Sequence, residues 1–428
     1  MEKHRLTQKR YRLFYALLIS FFCSSTVLAT QSGFAYHGYF RSSMGISQDA
    51  KSQSKFQLPG ARAKYRLGNE PDTNMELQLD YVYALSQSEK NGANIKSVIM
   101  LDGYATQGES NGFALGHLAQ AYFSFNQFTS NATSLWMGRR YYQRKSVHIM
   151  NHFWLNPGQN SHAGIGVENF KTGPGKLDIA LFRNEDNVDA NASNVVNSTV
   201  ADFRWHSLTL SDPLKLTLWA QAALRGAVPV LSYENKTGYA FGYWLDYKTD
   251  KLKNTLMTLF QQGATITQSG TNPRAVREDL GWNLDSANIV EVNNQLTLEA
   301  SPYYAFQFSL LYRRDDRGTA GNNLLTWFSS GIRPLFYLSQ HLNLALETGL
   351  DYVKDEVNQR SGGLGKFTAA LQIAADRGFK SRPVLRMFVT LAQWSESFRG
   401  LVGNIPGNSA YANSTRGWTV GSQVESWW

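Results

Sequence analysis

The sequence predicts a transmembrane antiparallel β-barrel that reaches its membrane by the secretory route. Three observations carry this: a basic and then apolar leader, polar and apolar residues alternating with a period of two along many short segments, and an aromatic residue in the last position.

The leader comes first. Lys3, Arg5, Lys9, Arg10 and Arg12 precede an apolar run from about Leu13 to Ala29, and Val27 and Ala29 are small residues placed as signal peptidase prefers. Residues 1–29 therefore read as a signal peptide, and 30–428 as one barrel domain. An uncleaved anchor is the competing reading; the run is short for a span and ends in the cleavage pattern. Cys23, the only cysteine, lies inside the leader, so the mature chain offers neither a disulfide framework nor a thiol nucleophile. The formal charge of +9 includes a leader of five basic residues and Glu2; without it the balance is about +5, too mild an excess to imply a nucleic-acid partner.

After Ala29 no apolar stretch is long enough for a spanning helix, yet the chain holds 24 Phe, 21 Tyr and 11 Trp. A closed sheet lets such a chain cross lipid with every backbone group paired. The expected alternation is present. Tyr39, Arg41 and Ser43 share a face, opposite Phe40 and Met44. Arg62, Lys64 and Arg66 alternate with Ala61, Ala63, Tyr65 and Leu67, which reads as a second strand. Asn74, Glu76, Gln78 and Asp80 alternate with Met75, Leu77, Leu79 and Tyr81. The pattern returns at Leu177–Leu181, Leu214–Trp219 and Leu342–Glu347. The last strand separates Trp418, Val420, Ser422, Val424, Ser426 and Trp428 from Thr419, Gly421, Gln423, Glu425 and Trp427. Loops are expected at Gln107–Gly112, Asn184–Thr199 and Gly400–Gly417. A soluble secreted sandwich would show the same alternation. The many strands, the terminal aromatic and the lack of a linker favour the barrel.

Particular strings go further. Tyr36–Gly45 (YHGYFRSSMG) and Ala63–Glu70 (AKYRLGNE) resemble the first two strands of the maltoporin-like sugar porins. Trp136–His148 (WMGRRYYQRKSVH) is similar to the strand that enters their inward-folded third loop. Gly166–Lys176, Gly331–Pro334, Ser381–Pro383 and Trp427–Trp428 follow in the family's order. The resemblance implies about eighteen strands, a homotrimer in the outer-membrane lipid, and an inward loop that narrows the pore. It also implies facilitated diffusion of oligosaccharides, maltodextrin-type or other. Aromatic planes would hold the apolar faces of sugar rings, and charged groups would bond their hydroxyls. Weak sites in series let the sugar leave as well as bind.

On this resemblance Tyr39, Phe241 and Trp427 take positions of the sugar slide. Arg41, Arg66, Glu76 and Arg144 match the polar track, and Ser146, Asn151 and Phe153 fall at the constriction. The sequence also departs from the family. Asn74 and Lys380 stand where the slide has a tyrosine and a tryptophan. Ser146 and Asn151 replace two aspartates, Phe153 replaces a tyrosine, and Ala119 or His117 lies where an arginine is expected. Tyr104 and Phe113 are candidates for the aromatic lent by a neighbour's second loop. Two lost acids beside retained arginines make the constriction more positive, which points to another saccharide, such as a β-glucoside, sucrose or an acidic oligosaccharide. The alternative is a general, weakly anion-preferring pore without saturable sugar sites. The long loops could also serve as a surface receptor, for example for phage.

No cofactor or metal is expected. His148 and His152 lack the glutamate of a zinc-protease motif, and Ser361–Lys366 (SGGLGK) lacks the first glycine and the hydroxyl of a phosphate loop. With no Gly-x-Ser-x-Gly elbow either, the chain reads as a channel and not an enzyme.

Overall fold

A computed structural model describes residues 32–85, 92–107, 113–127, 132–159, 161–187, 195–266, 278–403 and 410–428. The expected signal segment and most of the Gln107–Gly112 loop lie outside these residues. The sheet begins with β1 (Gly33–Ile46), β2 (Asp72–Ala84), β3 (Asn94–Thr106), β4 (Leu115–Asn126) and β5 (Ser134–Arg139). A short hairpin of β6 (Lys145–Val147) and β7 (His152–Leu155) follows. The strands resume with β8 (Ser161–Thr172), β9 (Gly175–Asn187), β10 (Val195–Ser211), β11 (Leu214–Arg225), β12 (Lys236–Lys248) and β13 (Leu252–Gly263). The rest are β14 (Asn288–Leu298), β15 (Tyr304–Asp316), β16 (Leu324–Tyr337), β17 (Leu342–Asp355), β18 (Arg360–Ala374), β19 (Val384–Trp394) and β20 (Arg416–Trp427).

All but β6 and β7 form one sheet of 18 strands. Each pairs antiparallel with its neighbours, and β20 returns to pair with β1, so the sheet closes and leaves no edge. Among the described residues no helix is long and apolar enough to cross a membrane. Lipid-facing and inner residues alternate as read from the sequence: Ile179 and Leu181 face out while Asp178 and Ala180 are buried within. On β20, Trp418 and Val420 are exposed, whereas Thr419, Gln423 and Glu425 are buried. Two loop expectations shorten. Strands occupy most of 184–199, because β9 runs to Asn187 and β10 starts at Val195, and β20 begins before Gly417. Ser361–Lys366 lies within β18, so its glycines serve a strand.

One expected strand is absent. Residues 61–67 pair with neither β1 nor β2, which pair directly with each other. They belong instead to an inward loop, residues 47–71, that crosses the inner wall strand by strand. Arg62 bonds to Asp315 on β15. The Tyr65 hydroxyl lies 3.3 Å from Ser309 Oγ on β15 and accepts a hydrogen bond from Ser329 Oγ on β16 at 3.1 Å. The Leu67 amide donates to Glu347 on β17 at 3.0 Å, and its carbonyl accepts from Lys366 Nζ on β18 at 2.9 Å. The Gly68 carbonyl accepts from Thr390 on β19 at 3.1 Å. An extended chain with a wall on one side and the lumen on the other shows the same period as a strand, which is why Ala61, Ala63, Tyr65 and Leu67 alternate with charged residues. Gly331 and Gly349 stand directly opposite each other on β16 and β17. A Cβ on either would fall inside the Tyr65 ring.

That slot makes a test. In Gly349→Val the ring has no seat and the loop leaves the wall, while the sheet keeps its backbone pairs. Overpacking of this kind costs about 2 kcal/mol. The expected outcome is a lower unfolding temperature together with a larger single-channel conductance. Unchanged conductance in a folded variant would show that the loop is held elsewhere.

Candidate functional site

A second inward segment, residues 140–159, follows β5 and packs on the arc of wall next to that of the first loop, β11–β14. Arg139 ends β5, and the buried Tyr142 packs between Trp136 and Phe182, with ring centroids 5.3 and 5.4 Å away. The chain is thereby turned inward. Val147, Ile149, Met150, Trp154 and Leu155 share one apolar cluster with Trp219, Trp244, Met257 and Leu259 of β11–β13. Trp154 and Trp244 meet edge to face at 5.3 Å. Polar bonds fix the depth: Gln295 Nε2 donates to the Ser146 carbonyl at 3.2 Å, and His152 Nε2 lies 2.8 Å from Glu291 Oε1. The two inward loops meet where the Arg66 amide donates to the Ile149 carbonyl at 3.0 Å. Burial, reinforced by the nearby Arg66 and Arg333 charges, holds the loop imidazole of His148 well below the usual histidine pKa, so it stays neutral.

At the tip of the loop, Asn151 takes a left-handed turn, with φ 54°, between Met150 and β7. Arg144 lies over the rings of Tyr141 and Phe153 at 4.3 and 5.1 Å. Phe153, though it lacks a hydroxyl, thus helps hold the arginine by a cation–π contact. Ser146, Asn151 and Phe153 do lie together in the inward loop.

The opposing wall is a lattice set by strand register. One row across β20, β1, β2 and β3 reads Trp427, Tyr39, Glu76, Asp102; the adjacent row reads Glu425, Arg41, Asn74, Tyr104. All eight share the inner face. Sequence reading found Trp427, Tyr39, Glu76 and Arg41 there but left Tyr104 as a loop candidate. Its register partner is Asn74, so an aromatic missing from position 74 is present on the neighbouring strand. Tyr104 is also well exposed. Phe113 lies elsewhere, close to the outward face of Gly103.

Two expectations need correction. Phe241 is 54% exposed on the outward face of β12, beside Tyr239 and Phe260. Its register neighbours Ala240 and Gly242 point inward, so Phe241 faces lipid and cannot line the lumen. The inward aromatic of that strand is Trp244, only 3% exposed under Trp154. Arg41 and Arg66 do face inward but are 5% and 8% exposed, because carboxylates hold them. Arg41 reaches Glu70 at 3.0 Å and Asp72 at 2.6 Å; Arg66 reaches Glu70 at 3.1 Å and Glu425 at 2.8 Å. Glu425 also receives Arg382 at 2.6 Å and Arg386 at 2.9 Å, and the Tyr39 hydroxyl at 3.1 Å. Arg382 in turn lies 3.9 Å above the Trp427 ring. These arginines hold the wall and loop; Arg144 and Glu76, half-buried, are the track residues left facing the opening. Lys380 sits exposed in the turn between β18 and β19, and His117 Nδ1 lies 2.8 Å from Asp102.

A sequence model of the LamB porin family matches residues 34–428. Among solved structures, the outer membrane channel DcaP of Acinetobacter baumannii is similar at a TM-score of 0.46 and 12% identity, over 94% of this chain and 99% of that one. OmpT of Vibrio cholerae is similar at 0.44 and 7%, over 94% and 100%. An anion-selective porin from Comamonas acidovorans is similar at 0.46 and 10%, over 92% and 100%.

Two outcomes follow from the geometry. Glu425→Gln leaves three guanidinium groups short of a counter-charge. Breaking buried pairs in this way costs about 3 kcal/mol, read as a lower unfolding temperature, with stronger anion selectivity from the uncovered charge. Lys64, on the first inward loop, has its pKa lowered to about 8 by burial, against the pull of Glu70. It is charged below that pH and neutral above it. Anion selectivity, read from reversal potentials, should therefore fall as pH rises through about 8 and stay flat in Lys64→Gln.

Proposed function

The chain belongs to the LamB porin family and lies in the Gram-negative outer membrane as a closed barrel, and from that premise we propose that it is a sugar-selective channel assembling as a homotrimer. It is a channel rather than an enzyme. Residues 1–29 are its secretion signal and 30–428 its single barrel domain. The observation that carries the sugar reading is the inner lattice of β20, β1 and β3. Trp427, Tyr39 and Tyr104 occupy adjacent rows and are interleaved with Glu76, Asn74 and Asp102. A sugar ring needs both: flat apolar contact for its faces, and carboxylate or amide oxygens for its hydroxyl rim. Arg144 faces this lattice from the opposite loop and can donate to the same rim.

The slide is shorter than the family pattern implies, since Phe241 points to lipid. Arg382 covers one face of Trp427, leaving at most the other for a sugar. The latter observation favours the second reading, a general, weakly anion-preferring pore. The two readings part on saturable block. With the purified protein in a planar bilayer, maltodextrins, sucrose and cellobiose-type sugars are titrated against conductance. The expected result is block in steps of three that saturates with one of these sugars. Tyr104→Ala or Trp427→Ala should weaken that block by about tenfold each, the scale of one aromatic contact. A conductance that no sugar reduces would leave the general pore.

A further inference from the structure

Below the second inward loop, at the short-turn end of β11–β13, the lumen widens into a vestibule of about 830 Å³. We propose that this vestibule is a binding subsite for the anionic group of an acidic saccharide, bearing carboxylate, sulfate or phosphate; this deepens the channel reading and rests on it. Lys215, Lys248, Lys253 and Lys380 line it from three strands and the β18–β19 turn, and all four are exposed. Lys248 and Lys253 stand directly opposite each other across β12 and β13. Like charges so placed destabilise a sheet, and an anion bridging them removes that cost.

The wall supplies these lysines with no close counter-charge. Among the described residues none of the four lysines forms an ion pair within 4.0 Å of a carboxylate. Asp246 and Glu299 line the vestibule too, and the neutral donors they accept from, Thr255 Oγ1 at 2.7 Å and the Phe379 amide at 3.0 Å, leave their charge in place; with Asp212 the acids are three, against five lysines once Lys145 is counted. Asp212 lies at the rim. The contrast with the other side of the barrel is sharp, for there Arg41, Arg66, Arg382 and Arg386 each meet a carboxylate.

A second, independent observation points to the rest of the ligand. Gln307 lines the same cavity and is 6% exposed. Its Nε2 donates to Thr297 at 3.0 Å, but its Oε1 has no partner. His148 Nε2, in the roof, has none either. A buried polar atom without a partner costs free energy that a ligand hydroxyl can return. Lysines for the acid and an amide and an imidazole for hydroxyls together describe an acidic saccharide. The volume is that of a small-ligand pocket, and exposed lysines bind weakly enough to release it.

The test uses the full mature protein in planar bilayers, with trigalacturonate and the neutral maltotriose as probes of equal length. In about 0.1 M salt, where charges act over about 10 Å, trigalacturonate should block at roughly tenfold lower concentration than maltotriose. The double variant Lys248→Gln, Lys253→Gln should lose that tenfold advantage and keep its block by maltotriose. Both side chains are exposed, and heat-modifiable electrophoretic mobility checks that the variant is folded. Equal block of wild type and double variant by trigalacturonate would overturn the subsite. So would an acidic sugar that binds no better than the neutral one. Block by neither of these sugars overturns the subsite; only if sucrose and cellobiose also fail to block is the sugar channel itself overturned, which separates the two failures.

Discussion

The structure turns on one carboxylate. Glu425 sits on the last strand, opposite Arg41 of the first, at the seam where the sheet closes. It accepts from Arg66, Arg382 and Arg386 and from the Tyr39 hydroxyl. Each donor comes from a different part of the chain: a wall strand, the first inward loop, the last turn and the penultimate strand. Burial alone would disfavour such a charge, and removal of any one partner would leave another uncompensated. The network therefore fixes three things together. It sets the position of the first inward loop, the orientation of Arg382 over Trp427, and the place of the Tyr39 hydroxyl in the lumen.

That anchoring changes the meaning of the barrel's interior. A ring of 18 strands encloses more space than its own side chains fill. Here two loops fill much of it. Tyr65 occupies a slot left by paired glycines on one wall, and Trp154 packs on Trp244 on the other. Where the loops lie, the inner face behaves as a protein core, with buried ion pairs and apolar contacts. The β1–β3 lattice is left less covered: Glu76 is half-buried and Tyr104 exposed. The conductance-determining region is thus defined by loop packing more than by the number of strands.

The sheet was largely legible because lipid outside and polar interior inside impose a strict period of two. The faces of β1, β2, β17 and β20 follow that rule residue by residue. The rule failed where another arrangement imposes the same period: residues 61–67 alternate because an extended loop also lies between two environments. Phe241 failed for a different reason. A match of position says nothing of parity, and Tyr239, Phe241 and Tyr243 alternating with Ala240 and Gly242 already form an outward aromatic face. Glu425 was placed on the correct face, but Arg66 and Tyr39 lie 359 and 386 residues from it in sequence, so no local pattern could reveal the network that joins them. Tyr104 could have been found from Asn74 by assuming that β2 and β3 form a hairpin and counting across it.

The distribution of charge then has a functional logic. Positive groups near the constriction are mostly spent: Arg41, Arg66, Arg382 and Arg386 are answered by Glu70, Asp72 and Glu425. Their field largely cancels within a few ångströms, so they hold shape without trapping an anion at the narrowest point. The lysines of the turn-end vestibule form no close ion pair and outnumber the three acids that line it with them. A channel needs this order, because tight capture at a constriction would stop flux, whereas weak attraction in a wide, hydrated chamber raises local concentration and still releases. The two lost aspartates of the inward loop fit the same scheme. Ser146 and Asn151 put no negative charge on the inward loop, while Arg144, held over Tyr141 and Phe153, keeps a positive charge there.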